Sequence, residues 1–171
     1  MEKRISVAPM MGQTDRHFRY MISLIAKDVK LYTPMIHAEA IVHSEKNFIN
    51  RENKNQKKVG IQIAGNDPKI VARAARIIEQ HNYNEINLNI GCPSERVQNC
   101  SVGVGLMKQP QLVADIVEHL VKVTSLPLSI KSRIGVDDYD NYEFLHDFID
   151  QTSSAGCDHF IIHARKAILK D

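Results

Sequence analysis

The sequence predicts an α/β protein, the first six β/α units of a (β/α)₈ barrel. Three observations carry that reading. Six short β-type runs alternate with helix-patterned segments about 30 residues apart, the mark of a parallel sheet with helices outside it. The Gly-x-Gly-x-x-Gly turn that opens a doubly wound dinucleotide-binding sheet is absent after the first run. Polar residues gather at the C-terminal ends of several runs: Pro9 and Met10, Gln62, Asn89 with Cys92, Lys131 and Arg133, and His163 with Arg165. Barrels build sites in this way, from many strand ends on one face. A complete barrel usually takes about 250 residues. This chain has 171 and stops just after the sixth run.

Each element has its own signal. Arg4–Ala8 reads as a first strand, and Thr14 can cap a helix with Phe18, Ile22 and Ile25 on one face. Lys30–Met35 reads as a second strand with Pro34 at its end, because proline cannot donate to a ladder. Residues 37–57 are a polar, basic excursion, expected as a solvated helix and loop, and the Lys/Arg run at 51–58 as a solvated face. Val59–Ala64 is a third strand. Asp67-Pro68 then supplies a cap and a proline at the first helical position, ahead of Ile70, Val71, Ala74, Ile77 and Ile78 at helical spacing. Glu85–Ile90 alternates polar and apolar residues as a fourth strand, broken by Gly91-Cys-Pro-Ser94. Pro110 opens a helix with Leu112, Val113, Ile116, Val117 and Leu120 on its face. Pro127–Lys131, a helix near Asn141–Ser153 and the run His159–His163 complete the order.

Composition narrows the function classes. Apolar residues make up 43% and charged residues 25%, which suits a buried core rather than a disordered chain. No apolar run reaches the roughly 18–20 residues of a membrane span, and Met1–Ile5 does not begin a secretory signal. The formal charge of +2 neither requires nor excludes nucleic acid, since phosphate is bound by a local patch. Three cysteines argue against a disulfide framework and for a reducing, cytoplasmic location. Neither Cys-x-x-Cys nor His-Glu-x-x-His occurs, so no metal is expected.

Chemistry concentrates at the strand ends. Cys92 sits in a turn between Gly91 and Pro93, where a thiol can serve as nucleophile or proton donor. The competing reading is a small buried apolar residue. Lys131 ends an apolar strand and reads equally as an anion stabiliser or as a lysine snorkelling to water. His163, taken alone, reads as a satisfied, partly buried histidine. Gln62 lies inside an apolar strand and needs a partner, either a ligand or a backbone amide. Cys100 has no framing motif, and Cys157 falls at the end of the barrel opposite this face. Together these residues suggest a ligand site with acid/base chemistry, without naming the reaction.

The same residues carry a resemblance. Ser6-Val-Ala-Pro-Met-Met11 followed by Thr14-Asp-Arg-His17 resembles the opening of tRNA-dihydrouridine synthases, and Ile86–Ser94 resembles that family's signature loop. Glu95–Asn99, Ile130–Gly135 and Ile161–Ala167 agree in order, and the last block with Arg96–Asn99 is most similar to the bacterial A subfamily, DusA. The resemblance implies a TIM-barrel enzyme that uses FMN, with NADPH as reductant, to reduce uridine in tRNA to 5,6-dihydrouridine, at positions 20 and 20a of the D-loop. It implies Cys92 as the general acid at C5. It matches Ala8, Pro9, Met10, Gln62, Lys131 and His163 to the flavin site, with Lys131 near the ring's N1/O2 edge. It matches Asn89, and less closely Arg165, to the substrate base. Val104 stands where the family usually has a small residue and Gly105 where a second cysteine is common; neither is expected to touch Cys92.

The family's FMN-phosphate segments and its C-terminal helical tRNA-binding domain would lie beyond Asp171. Residues 1–171 are therefore expected to be an incomplete catalytic domain that holds FMN weakly or not at all, with the full-length form a monomer. Two alternatives stand beside this. One is an FMN barrel oxidoreductase acting on a free pyrimidine, as dihydroorotate dehydrogenases do. The other is a truncated remnant without catalysis.

Overall fold

The computed structural model describes residues 5–44 and 59–169. Six strands run parallel in one curled sheet, and helices alternate with them in the chain. The strands are β1 (Leu31–Tyr32), β2 (Ile36–His37), β3 (Val59–Ala64), β4 (Tyr83–Ile90), β5 (Leu128–Arg133) and β6 (Phe160–His163). The sheet order is β1-β3-β4-β5-β6, with β2 also beside β3. The helices are α1 (Arg16–Ile25), α2 (Ala38–His43), α3 (Pro68–Glu79), α4 (Glu95–Gln98), α5 (Pro110–Val121) and α6 (Tyr142–Ser154), with a 3₁₀ turn at Gly103–Lys108. This is a partial (β/α)₈ barrel. No helix among the described residues is long and apolar enough to cross a membrane.

Period-two alternation divides the sheet into two chemistries. On the outer face Ile61, Ile63, Ile86, Leu88, Ile90 and Ile130 are fully buried against Val71, Ala74 and Ile78 of α3 and Val113, Ile116 and Val117 of α5. Each such side chain contributes about 1.5–3 kcal/mol by leaving water. On the inner face the same strands carry Gln62, Glu85, Asn87 and Ser129, all buried as well. Register sets these polar residues side by side: Gln62 is opposite Asn87, and Asn87 is opposite Ser129.

Local features differ from the sequence reading at several points, and β5 runs two residues past Lys131 to Arg133. The first strand shrinks to one parallel bridge, Ser6 to Lys30, with Val7 N–H donating to Lys30 O at 2.9 Å; Arg4 lies outside the described residues. The second splits in two. Pro34 offers no N–H, and Thr33 covers the gap: its hydroxyl accepts from Gln62 N–H at 3.1 Å and donates to Pro34 O at 2.8 Å. The first helix is capped by Asp15, not Thr14. Asp15 Oδ1 accepts from His17 and Phe18 N–H at 3.0 and 2.8 Å, whereas Thr14 is buried and bonds both backbone groups of Met10. Ile25 of that helix is exposed rather than on a buried face. Of the 37–57 excursion, α2 is helical but not solvated, because Ala38 and Ile41 pack in the core, and residues 45–58, with the basic run, lie outside the described residues.

Gly60 is required by packing. A Cβ there would stand 2.6 Å from the Tyr32 ring, which crosses Gly60 and donates its hydroxyl to Glu85 at 2.9 Å. Gly60→Ala is expected to destabilise the fold by about 1–3 kcal/mol through overpacking. Urea unfolding measures it, and an unchanged midpoint would contradict this packing.

Candidate active site

The C-terminal ends of β3, β4, β5 and β6 open on a cleft of about 300 Å³. Gln62, Asn89, Cys92, Lys131 and His163 line it, with Pro9 from the N-terminal segment. Met11 and Met35 supply apolar wall, and Arg133 borders Gly91. Three of the expected residues do not line the cleft. Ala8 and Met10 belong to the same N-terminal segment but are exposed, and Arg165 is exposed beyond β6.

Within the protein the Gln62 side chain meets other side-chain amides rather than a backbone amide. It is held by two side-chain amides: its Nε2 donates to Asn87 Oδ1 at 2.7 Å, and its Oε1 accepts from Asn89 Nδ2 at 2.9 Å. Asn87 Nδ2 in turn donates to Ser129 Oγ at 2.7 Å. The Ser129 hydroxyl donates to Glu85, which is also ion-paired to Lys30. Burial, and then the Glu85 charge, raise the Tyr32 phenol above its ordinary range, so it stays a neutral donor to that carboxylate.

Cys92 is seated from two sides. Asn89 Oδ1 accepts from the N–H groups of Gly91 and Cys92, at 3.2 and 3.0 Å. From outside, Cys92 O accepts from Gln98 Nε2 at 3.0 Å and from Val104 N–H at 3.1 Å. Val104 thus does touch the cysteine loop, contrary to expectation. The contact is main chain, which any residue but proline would make. Gly103 makes the approach possible at φ +75°, and a Cβ on it would stand 2.6 Å from Cys92 O. Gly105 leaves room for Gln98, whose Oε1 lies 2.9 Å from where a Cβ would be. The thiol is half-buried, with Ser94 Oγ at 3.4 Å from Sγ.

The other two cysteines are elsewhere. Cys100 is exposed outside the cleft. Cys157 is buried just before β6, where burial pushes its thiol up to about 11.

Two basic groups complete the cleft. Burial, and then Arg133, lower the Lys131 ammonium from its ordinary value, and among the described residues nothing pairs with it. Lost hydration, then Arg133, Lys131 and Arg165, hold His163 below its ordinary value, which favours the neutral ring. Arg133 is structural: its Nε donates to Gly91 O at 2.9 Å and its Nη1 to Lys166 O at 3.3 Å. Among the described residues no group of three or more His, Cys, Asp or Glu is arranged to hold a metal.

Sequence reasoning missed Asn87, Glu85, Ser129 and Gln98. Glu85, Asn87 and Asn89 stand at every second position of a strand whose alternate residues are Ile86, Leu88 and Ile90. That is a legible sign of a polar inner face. Gln98 had no comparable signal.

A family model described as dihydrouridine synthase matches residues 6–169. The chain belongs to the dihydrouridine synthase family. It is 48% identical over 167 residues to the tRNA-dihydrouridine(20/20a) synthase of Escherichia coli K12, covering 97% of this chain and 48% of that protein. Against the protein of the same name from Vibrio parahaemolyticus it is 47% identical, covering 97% and 51%. Against that of Synechocystis it is 46% identical, covering 97% and 50%. The chain thus spans about half the length of these curated relatives.

The ring of His163 is expected to titrate below the ordinary histidine midpoint, and Arg165→Gln to raise it by removing a neighbouring cation. Proton NMR of the ring checks both; a midpoint unmoved by the substitution would contradict the electrostatic cause.

Proposed function

We propose that this chain is the catalytic part of a flavin-dependent tRNA-dihydrouridine synthase acting on uridines 20 and 20a. The observation that carries the reading is the shared cleft. A turn-borne thiol, two oriented amides and an unpaired lysine meet there, in a chain that is nearly half identical to enzymes of that name.

The cleft suits FMN on its own chemistry. Met11, Met35 and Pro9 offer apolar surface to a flat ring, and the Gln62 and Asn89 amides and Lys131 offer donors to its carbonyl and nitrogen edge. Gln62, Lys131 and His163, with Pro9 of the N-terminal segment, would hold it. When bound, FMN reduced by NADPH supplies the hydride that adds to C6 of the uracil. The second addition falls to the protein. Cys92 gives the proton to C5, which completes saturation of the double bond and leaves a thiolate that regains its proton from solvent. Ser94 Oγ is the hydroxyl within reach of that sulfur.

Asn89 has a double part. It seats the Cys92 loop through its oxygen and gives one N–H to Gln62 Oε1, which leaves its second N–H for the base at the cleft wall. Arg165, exposed at the rim, is suited to the approaching tRNA. A uridine reaches this cleft only after leaving its stack, so the enzyme must accept a flipped nucleotide. The expected setting is the cytoplasm, where tRNA is processed.

In the full-length protein, Cys92→Ala is expected to fold and retain FMN while dihydrouridine formation falls by about a hundredfold or more. Mass spectrometry of unmodified tRNA after reaction measures it, and undiminished product would contradict the acid assignment. Lys131→Ala is expected to weaken FMN retention and slow flavin reduction by NADPH. Flavin content and stopped-flow absorbance at wild-type values would contradict that role. Turnover of free orotate, with none of tRNA, would overturn the reading as a whole.

A further inference from the structure

The amide line on the inner face has two ends whose polarity cannot be reversed. At the mouth, the backbone N–H groups of Gly91 and Cys92 can only donate, so Asn89 must turn its oxygen to them. Its nitrogen then faces Gln62 Oε1, Gln62 presents Nε2 to Asn87 Oδ1, and Asn87 presents Nδ2 to Ser129. At the far end the Glu85 carboxylate, paired with Lys30, can only accept. Every donor along the line therefore points the same way. Each amide accepts and donates at once, the arrangement in which hydrogen bonds strengthen one another. Neither Glu85, Asn87 nor Ser129 lines the cleft.

We propose that Glu85 is a remote positioning residue. Through Ser129 and Asn87 it locks the Gln62 and Asn89 amides the way round that the Gly91 and Cys92 N–H groups also require, and so steadies the seat of Cys92. Asn89 Oδ1 is filled by two N–H donors, and its free valence is an N–H. The group it meets on a ligand is therefore an acceptor, such as a carbonyl oxygen. For the flavin and uridine named as ligands the inference rests on the reading above; the link from Glu85 to Cys92 does not.

The test is Ser129→Ala in the full-length protein carrying Cys100→Ser, so that Cys92 is the accessible thiol among the described residues, with alkylation at Cys92 read by peptide mass spectrometry. The substitution removes one buried hydroxyl and leaves every cleft side chain in place. Two readouts need no cofactor: hydrogen exchange at the Gly91 and Cys92 amides, and the rate of Cys92 alkylation by iodoacetamide. Both are expected to change, with exchange about five- to tenfold faster relative to amides of α5, the effect of losing one buried hydrogen bond. The FMN dissociation constant is expected to rise by a similar factor. Wild-type exchange and alkylation in a protein with a lowered unfolding midpoint would overturn the proposal, because the hydroxyl would then serve stability alone.

Glu85→Gln combined with Lys30→Met removes both charges and replaces a fixed acceptor with an amide that can sit either way round. The folded double variant is expected to show the same faster exchange at Gly91 and Cys92, and wild-type exchange there would likewise overturn the proposal. FMN uptake separates the two readings. A wild-type protein that takes none overturns the flavin assignment, while exchange and alkylation still decide for or against Glu85.

Discussion

The buried row Gln62–Asn87–Ser129 runs between the Glu85–Lys30 ion pair and the N–H groups of Gly91 and Cys92, and the rest of the structure depends on its being satisfied. Each polar group left unpaired at this depth would cost about 1–3 kcal/mol. Satisfaction requires the observed register, in which Gln62, Asn87 and Ser129 are direct neighbours across three strands. A slip of one residue would turn Asn87 and Asn89 into the helix layer and Ile86 and Leu88 onto the inner face. Apolar and polar faces thus select the same pairing independently.

The constraint reaches the cleft through short, specific links. Gly60 admits the Tyr32 ring, which carries a donor to Glu85, and Thr33 replaces the ladder contact that Pro34 cannot make. At the other end Asn89 supports the cysteine turn from within, while Gln98 and Val104 hold its carbonyl from outside across Gly103. A thiol that must deliver a proton to one carbon needs a fixed origin, and here three groups on three segments define it. Beyond the cleft, Lys166 pairs with Asp140 at 2.7 Å, joining the segments that follow β6 and β5, and Lys108 pairs with Asp137 at 3.0 Å, joining the 3₁₀ turn after β4 to the segment after β5.

Local signals in the sequence located most elements. β3 is found over the residues expected of it, and α3 begins at the Asp67-Pro68 signal, because a continuous apolar run and a cap before proline leave few alternatives. Asn141 caps α6 through Phe144 N–H at 2.8 Å. The misses are also local. Thr14 and Asp15 are both good caps, and tertiary packing chose between them by burying Thr14 against Met10. Pro34 reads as a strand end, but a sheet curling past it keeps contact on both sides and divides the strand instead.

For the site, the sequence alone determined the kinds of residue near the strand ends: a cysteine in a turn, a histidine closing its strand, a glutamine amid apolar neighbours, and a lysine that reads as a strand end although β5 runs on to Arg133. Short-range patterning suffices for that, since alternation and turn residues say where a strand stops. Which of them share a cleft, and what Gln62 bonds to, was decided only by tertiary structure. Those answers depend on parallel register between strands about 25 and 40 residues apart in the chain, and no local pattern encodes register. Amide orientation depends on more still. It follows from groups of fixed polarity at both ends of a line that exists only once the sheet has formed.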